Sequence, residues 1–501
     1  MHSMKTARKL QQEVMELKAA IQLKDTQLKQ KTTYIQNLEA ALIDLKKYRF
    51  GSSSEKQKNK DQLQLFNEVE LINDAKTSSK KTNKKKKNHN HETLSKDLPH
   101  ESKIHDITDE QKYCPNDKTE LKHIGEIVTR KLIIKPAVFK VIEHKQYKYA
   151  CPCCKKHILT AKKPKDIIPK SITTPELLSQ ISVSKYADAM PLYRLSAMFK
   201  RLNVKISRQN MANWMIKCSI AIQPLVNLIQ DELYNQPCIH IDESPIQVLK
   251  EPGKKAQAKS YMWVQRAGDN IIFNYHPNRS AEIIEKLFEN YSGAIMTDGY
   301  SAYDKVTNKY SIKHLGCWVH ARRYFIKVIE QGQNSSAQKM INLISELYLV
   351  EKRIKNEKPD EKYIYRQCNS LPIITKIRQH LDTILHSTAP AGLMGKALNY
   401  LHNQWQKLIV YLDDGNYPID NNAAENAIRP FVIGRKNWLF SNTPSGAQAS
   451  ANMYSIIETA KAHGINPQEY LTHVYKETPL VKSIEDYEKL LPWNFKSDNS
   501  S

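Results

Sequence analysis

The sequence predicts a multidomain α+β protein, and three observations lead to that fold class. The chain has 501 residues, whereas one hydrophobic core rarely serves more than about 250–300 residues. Its first segment carries a seven-residue apolar repeat, and its later part alternates short apolar strands with amphipathic helices. The formal net charge of +24 indicates a surface that attracts polyanions, so nucleic acid is the first candidate partner.

Residues 1–50 are predicted to form a leucine-zipper-like coiled coil. Two apolar positions repeat at heptad spacing: Val14, Ile21, Leu28, Ile35 and Leu42 at one, and Leu10, Leu17, Leu38 and Leu45 at the other. β-Branched residues at one position with Leu at the second favour a parallel dimer. Lys24 and Lys31 interrupt the Leu row, which weakens the middle of the seam. The alternative is a single amphipathic helix that packs on its own chain.

Residues 51–110 are predicted to be a basic flexible linker. The stretch "KTSSKKTNKKKKNHNHETLSKDLPHESK" (76–103) is lysine-rich and nearly free of large apolar side chains. Such a composition buries too little surface to offset the entropy of folding. A weak hold on DNA phosphate is a further role for these lysines.

Residues 111–160 are predicted to form a zinc-finger-like β module. Cys151 and Cys154 have the C-x-x-C spacing by which two thiolates of one turn hold a tetrahedral zinc ion. At the other end, Cys114 is followed three residues later by Asp117 instead of Cys. With Cys153 nearby, three thiolates and one carboxylate, or four thiolates, are both open as ligand sets. A metal-free β unit of the same shape is the alternative.

Residues 161–235 are predicted to be a helical region resembling a helix-turn-helix. Residues 161–217 contain eleven Lys and Arg against three Asp and Glu. A helix over about 191–202, a break at Asn203 and a second helix capped by Ser207 form the motif. Two packed helices without a DNA role fit the pattern nearly as well. The candidates for DNA contact on the second helix are Arg208, Gln209 and Asn213.

Residues 236–440 are predicted to form the catalytic core. "PCIHIDESPIQVL" reads as a strand that ends near Asp242 at a proline turn, and "GAIMTDGYSAYDKV" contains a second strand that stops at Asp298. Between them lie a hairpin turning at "AGDN" and a helix that begins near Ser280. Each Asp taken singly could merely cap a turn.

Taken together, two strands that each deliver an Asp, with antiparallel strands and a helix between them, are typical of a ribonuclease-H-like sheet. Carboxylates that meet there can hold two divalent metals about 3.5–4 Å apart for phosphoryl transfer. Mg²⁺ is the expected ion, because it prefers carboxylate oxygens and substrate phosphates.

"HLGCWVHARRYFIKVI" (314–329) is predicted to be a strand entering a helix, with Cys317 and His320 spaced C-x-x-H. A zinc site there needs two further ligands that the sequence does not point to. We therefore expect Cys317 to pack and His320, Arg322 and Arg323 to have polar or DNA-facing roles. Residues 332–414 are predicted to be a helical insertion.

The segment "PIDNNAAENAIRPFVIGRKNWLF" (418–440) is predicted to contain a helix with Asn422, Glu425 and Arg429 on one face. A capping box with Asn422 or an ion pair with Arg429 would explain Glu425 without catalysis. Against both stands the order of the acids, Asp, Asp and then Glu after an insertion, which is the layout of a DDE polynucleotidyl transferase. The following Arg435 and Lys436, with Arg429, are candidates for gripping DNA phosphate.

At this point the chain resembles the transposases of the insertion sequence 66 type. The matching stretches run in family order over nearly the whole chain: "RFGSSSEK", "LFNEVE", "YACPCC", "VSKYADAMPLYR", "DESPIQVL", "DGYSAYDKV", "CWVHARRYF", "NNAAENAIRP", "GRKNWLFSNTPSGAQASANMYSIIETAKAHGINPQEYL" and "LLPWN". Two positions depart from the family pattern. Asp117 stands where the finger usually has Cys, and Asn426 follows Glu425 where Arg is common.

The resemblance implies a bacterial mobile-element enzyme whose triad is Asp242, Asp298 and Glu425, holding Mg²⁺ or Mn²⁺. It also implies a zinc-finger-like module and a short helical C-terminal domain at 441–501. The expected partners are the DNA of the element ends and target, a second copy through the coiled coil, and accessory proteins of the same element. No run of about 18 apolar residues or signal peptide is evident. We therefore expect an intracellular protein, and the resemblance implies a bacterial cytoplasmic, nucleoid-associated one.

Overall fold

The computed structural model describes residues 139–150, 158–332 and 334–496, with nine further helical positions between Met15 and Lys31. The latter are helical and exposed, as the predicted N-terminal helix requires, while its pairing with a second copy stays a prediction. The chain divides into two compact units, residues 1–50 with 139–501, and residues 51–138. The second unit lies outside the described residues, and so do all four predicted zinc ligands, Cys114, Asp117, Cys151 and Cys154.

From residue 139 onward, the first described elements are a pair of short strands and four helices. Strands β1 (Lys148–Ala150) and β2 (Ile158–Thr160) pair antiparallel. The predicted helix, break and second helix are confirmed: Asn203 has a φ of +62°, and the Ser207 hydroxyl accepts the N–H of Asn210 at 3.1 Å. The helices are α1 (Pro175–Tyr186), α2 (Leu192–Arg201), α3 (Arg208–Ala221) and α4 (Gln223–Tyr234).

A mixed six-stranded sheet forms the centre of the described residues. Its strand order is β5-β4-β3-β6-β7, and β8 pairs with the far end of β3. β3, β4 and β5 are antiparallel neighbours, whereas β6, β7 and β8 join by parallel pairing. The strands are β3 (Cys238–Val248), β4 (Lys259–Ala267), β5 (Asn270–His276), β6 (Ala294–Thr297), β7 (Lys313–Gly316) and β8 (Phe440–Ser441).

The strand that carries Asp242 is longer than predicted. We expected it to end at Asp242, but β3 continues through Pro245 to Val248. Its ladder with β6 stops at His240 and its ladder with β8 begins at Gln247, so between them it pairs with β4 alone. A missing N–H costs least on a side without a partner strand, which is why the proline is tolerated.

Helices cover both faces of this sheet. Ile295 of β6 packs into one hydrophobic cluster, while its neighbours Ala294 and Met296 pack into a second cluster on the opposite face. The first cluster also joins α1, α3 and α4 to the C-terminal helices. The remaining helices are α5 (Ala281–Phe288), α6 (Ala302–Tyr310), α7 (Trp318–Gln331), α8 (Ser335–Arg353), α9 (Pro359–Leu385), α10 (Leu393–Asn403), α11 (Trp405–Ile409), α12 (Asn422–Trp438), α13 (Pro444–Ala462), α14 (Pro467–Glu477) and α15 (Ile484–Glu488).

The segment predicted as a helical insertion is helical, since it contains α8 to α11 and a 3₁₀ turn at Val410–Leu412. Its helices belong to the second hydrophobic cluster, the one that packs on β6, β7 and α7. Two more 3₁₀ turns, Thr478–Leu480 and Pro492–Asn494, lie near the C-terminus. In the part of the chain that the structure describes, no helix has both the length and the apolar content needed to cross a bilayer.

Edge strand β5 is covered by helix α13. The N–H of Ile271 donates to the Thr459 hydroxyl at 3.1 Å, and the N–H of Phe273 donates to the Ser455 hydroxyl at 2.8 Å. The Thr459 hydroxyl in turn donates to the carbonyl of Ile271 at 2.9 Å. Side chains of a helix therefore satisfy backbone groups that an edge strand would otherwise leave exposed.

Candidate active site

The two aspartates lie side by side where a parallel ladder ends. The last pair between β3 and β6 is His240 with Met296. Asp242 lies two residues beyond the former and Asp298 two residues beyond the latter, so the same register places them abreast. Asp242 lies within β3, whereas Asp298 is the first residue after β6. The corrected length of β3 does not change this placement.

The pKa of Asp242 is raised by burial and by nearby acids. Burial raises this pKa most, and the negative charges of Glu243, Asp298 and Glu425 raise it further. Asp298 and Glu425 therefore each lie within electrostatic range of Asp242. The oxygens of the three predicted triad carboxylates do not all lie within 4.8 Å of one another, a spacing that among the described residues is met by a different set, Cys317, His320 and Glu425.

The loop after Asp298 is held by helix α10. The Tyr300 N–H donates to the carboxylate of Asp298 at 3.0 Å, and Gly299 between them has a φ of +93°. The Tyr400 hydroxyl donates to the carbonyl of Asp298 at 2.8 Å, and the Gln404 amide donates to the carbonyl of Gly299 at 3.4 Å. The segment predicted as an insertion thus contacts the loop that carries Asp298, one of the predicted triad residues.

Glu425 is positioned by the residue before its helix. Asn421 donates its side-chain N–H to the carbonyl of Ile241 at 2.8 Å, and its amide oxygen lies 3.2 Å from Nδ1 of His240. Its own N–H donates to the sulfur of Cys317 at 3.2 Å. Asn421 therefore fixes the start of α12 against β3 and against the start of α7, and Glu425 lies in the first turn of α12.

The charge partner of Glu425 lies on another helix. Arg323 of α7 donates Nη2 to Oε2 of Glu425 at 2.6 Å and Nη1 to Oε1 at 3.3 Å. The two side chains are 28% and 12% exposed, so this bidentate pair is largely shielded from solvent. The alternative of a capping box with Asn422 is wrong, since the residue before the helix is Asn421 and the backbone N–H of Asn422 donates to Asp420 at 3.0 Å instead of to Glu425.

His320 lies beside the same carboxylate, with its Nδ1 3.7 Å from Oε1 of Glu425. Burial lowers the pKa of His320, and this effect outweighs the opposing effect of Glu425. The imidazole is therefore neutral near pH 7, so its contact with Glu425 is not an ion pair. A neutral imidazole keeps a ring nitrogen able to accept a proton or a metal ion.

The sequence interpretation missed a second acid on β3. The N–H of Glu243 donates to Asp242 at 2.9 Å, and its own carboxylate receives Arg279 at 2.9 Å and the Tyr303 hydroxyl at 3.1 Å. Burial raises the pKa of Glu243, and Arg279 opposes that rise. Arg279 also stacks 3.7 Å from the ring centre of Tyr300. The adjacent acids in "DES" were the available signal.

The predicted DNA contacts fall into two groups. On α3, Arg208, Gln209 and Asn213 are exposed, as a recognition helix requires. Near the acids, Arg435 donates to the hydroxyl of Ser244 at 3.1 Å, two residues beyond Asp242 on β3. The others are half-buried or exposed: Arg322, Arg323 and Arg429 half-buried, Lys436 exposed. Their contact with DNA stays a prediction.

The donor set of the three acids fits a divalent metal. Carboxylate oxygens are the ligands that Mg²⁺ prefers. Burial raises the pKa of Asp242 most and the neighbouring negative charges raise it further, so a bound cation would offset the cost of ionising this carboxylate. Asp242, Asp298 and Glu425 are the residues that would hold it.

Comparisons with known proteins find one transposase family along most of the chain. Residues 170–449 match the family described as "Transposase IS66 family". Residues 111–155 match "zinc-finger binding domain of transposase IS66", residues 455–493 match "IS66 C-terminal element", and residues 37–102 match "Transposase C of IS166 homeodomain".

Relatives from Sinorhizobium fredii are similar over most of their length. Uncharacterized protein y4jD is 27% identical over 421 residues, which cover 81% of this chain and 82% of the relative. Uncharacterized protein y4qI is 29% identical over 391 residues, which cover 75% of this chain and 72% of the relative. Since the first family match alone spans more than half of the 501 residues, the chain belongs to the IS66 family of transposases.

Proposed function

We propose that this chain is a DNA transposase that cuts the ends of its element and joins them to target DNA with the triad Asp242, Asp298 and Glu425. The observation that carries the proposal is the register of β3 and β6, because Asp242 and Asp298 each lie two residues beyond the last pair of that ladder. The strand order, with three antiparallel strands followed by two parallel ones, supports a ribonuclease-H-like core.

Asp242 and Asp298 are the main ligands for Mg²⁺ or Mn²⁺ in this proposal, and Glu425 completes the second metal position. Bound there, the ions would activate the attacking oxygen and stabilise the leaving oxygen. Asn421 supports the arrangement by tying the start of α12 to the backbone of Ile241. Arg435, bonded to Ser244 on the same strand, is placed to meet a phosphate.

DNA is held by several parts of the chain in this proposal. The exposed Arg208, Gln209 and Asn213 of α3 contact one duplex, and the N-terminal helices pair two copies so that two element ends are held at once. The family match over 111–155 supports a zinc-binding module, with Cys114, Asp117, Cys151 and Cys154 as its proposed ligands. Zinc content of the full chain, compared with Cys154→Ser, tests that module.

One assay tests the enzymatic proposal. Purified chain is mixed with labelled element ends, target plasmid and Mg²⁺, and wild type is compared with Asp298→Ala. Joined products that disappear in the variant support transposition. Cleavage without joining would indicate a nuclease, and a shifted but uncut probe would indicate a DNA-binding regulator and refute both enzymatic alternatives.

A further inference from the structure

The C-x-x-H motif at the start of α7 acquires a third ligand in the folded chain. One ligand atom each from Cys317, His320 and Glu425 lies within 4.8 Å of the other two. Glu425 follows His320 by more than a hundred residues, and it reaches the motif because Asn421 ties the two helix starts together. These three side chains offer a thiolate, an imidazole and a carboxylate.

That donor set differs in kind from the triad. Three carboxylates favour Mg²⁺, whereas sulfur with nitrogen and oxygen suits Zn²⁺, which takes three protein ligands plus water in open sites. Ligand bonds of 2.0–2.3 Å place tetrahedral donors roughly 3.3–3.8 Å apart. The 3.7 Å between Nδ1 of His320 and Oε1 of Glu425 lies in that range. The site would therefore need little contraction to bind such an ion.

The orientation of the two polar ligands suits a metal. Nδ1 of His320 is buried and lacks a hydrogen-bond partner among the described residues, although a buried polar atom usually has one. Arg323 holds Oε2 of Glu425 at 2.6 Å but approaches Oε1 only to 3.3 Å. Oε1 is thus the oxygen turned to His320, while Arg323 orients the carboxylate through Oε2. Residues that hydrogen-bond to metal ligands commonly orient them in this way.

The sulfur is also prepared as a ligand. The Cys317 sulfur accepts the backbone N–H of Asn421 at 3.2 Å. Backbone N–H groups directed at a sulfur stabilise its thiolate. A thiol must lose its proton to bind a metal, so binding at this site would release that proton to solvent.

We propose that Cys317, His320 and Glu425 form a site for a thiophilic divalent cation such as Zn²⁺. Given the proposed function, this site competes with the triad for Glu425. A zinc ion held by Cys317 and His320 would keep Oε1 of Glu425 where it lies, and so keep it from joining Asp242 and Asp298 at a shared metal. Zn²⁺ would then act as an inhibitor of the Mg²⁺-dependent reaction.

Cobalt is the probe for binding, because Co²⁺ bound to a thiolate gives a charge-transfer band. The full chain is titrated with Co²⁺ as wild type, Cys317→Ser and Cys218→Ser. Cys218 is the matched control, since it is also buried with a pKa raised to about 12 but lies on α3. Wild type and Cys218→Ser should bind one more equivalent than Cys317→Ser. All three variants keep the zinc-finger-like module, so its contribution cancels.

A second variant covers the case in which Cys317→Ser does not fold. His320→Gln keeps the sulfur and should weaken Co²⁺ binding at this site by more than about 100-fold, since loss of an outer partner alone costs 10–100-fold. Equal stoichiometry and spectra in wild type, Cys317→Ser and His320→Gln would overturn the site.

The inhibitory role has its own readout. Zn²⁺ added to the Mg²⁺-dependent cleavage assay should inhibit wild type and Cys218→Ser, and Cys317→Ser should need at least about tenfold more Zn²⁺. Equal inhibition of all three would refute the competition for Glu425. If no variant cleaves DNA, the proposed function fails, while the cobalt titration still decides the metal site.

Discussion

Replacing Gly299 by alanine should damage the Asp298 loop more than it damages the fold. At a φ of +93° an L-residue is strained, and an added Cβ would lie 2.9 Å from the side-chain carbon of Gln404. Gln404 can rotate away, at the cost of its hydrogen bond to the carbonyl of Gly299. The backbone strain is harder to relieve, because a residue held in a sparsely populated φ/ψ region destabilises the fold by about 1–3 kcal/mol.

In Gly299→Ala, the loop can relieve this strain if residue 299 changes its φ, and that change moves Asp298 relative to Asp242. If about 2 kcal/mol is needed to restore the original geometry, the active arrangement is populated roughly 30-fold less. We therefore expect Gly299→Ala to lower the rate of Mg²⁺-dependent strand cleavage by about 10- to 100-fold. The measurement is single-turnover cleavage of a labelled element end, with the melting temperature recorded in parallel.

Gly268→Ala is the matched control. Gly268 also has a positive φ, +57°, but an added Cβ there would meet nothing within 4 Å, and the residue lies in the β4–β5 turn. It should show a comparable fall in melting temperature and cleave within about twofold of wild type. The reasoning is refuted if Gly299→Ala cleaves like wild type, or if Gly268→Ala loses as much activity. Adding Gln404→Ala to Gly299→Ala should restore little, because the strain is in the backbone.

Three further outcomes are expected. Asp242→Asn should abolish cleavage yet raise the melting temperature at pH 7. The pKa of Asp242 in the folded protein lies above its ordinary 3.8, so the ionised carboxylate lowers stability as pH rises. If the gain in melting temperature does not shrink as pH falls toward 3.8, this reasoning is contradicted. Asp304→Asn should instead lower the melting temperature at pH 7, because His314 and Lys407 lower the pKa of Asp304 to about 2. Its stabilising effect, about 1 kcal/mol after allowance for a 42% exposed side chain, should be present above pH 3.8 and lost as pH falls through 2, as melting curves against pH will show. Arg208→Ala should weaken DNA binding and reduce the slope of log affinity against log salt by about one, in a fluorescence anisotropy titration, and an unchanged slope would remove Arg208 from the phosphate contacts.

Local patterns in the sequence were sufficient for much of the fold. The break at Asn203, the cap at Ser207 and the hairpin turn before Asn270 are properties of a few neighbouring residues, and the structure has them where they were predicted. The end of β3 was misjudged because proline usually stops a strand. Whether Pro245 could remain in the strand depended on which neighbours β3 lacks at that point, and this is a property of the whole sheet.

The acids of the candidate site could be predicted from the sequence, but their spatial arrangement and their partners could not. The order of Asp242, Asp298 and Glu425 along the chain suggested the triad, and the register of two strands was needed to set the first two abreast. The pairing of Arg323 with Glu425 joins residues that are 102 positions apart, and no local spacing indicates it. For the same reason the sequence left the C-x-x-H motif without a third ligand.

The helix that covers β5 also determines what a shortened copy of this protein would do. Without residues 444–462, the backbone groups of Ile271 and Phe273 would lose the hydroxyls that now satisfy them. The strand would then be free to pair with the same strand of another molecule. A transposon copy truncated by a stop codon near 443 should therefore yield insoluble protein rather than a diffusing inhibitor of the intact enzyme.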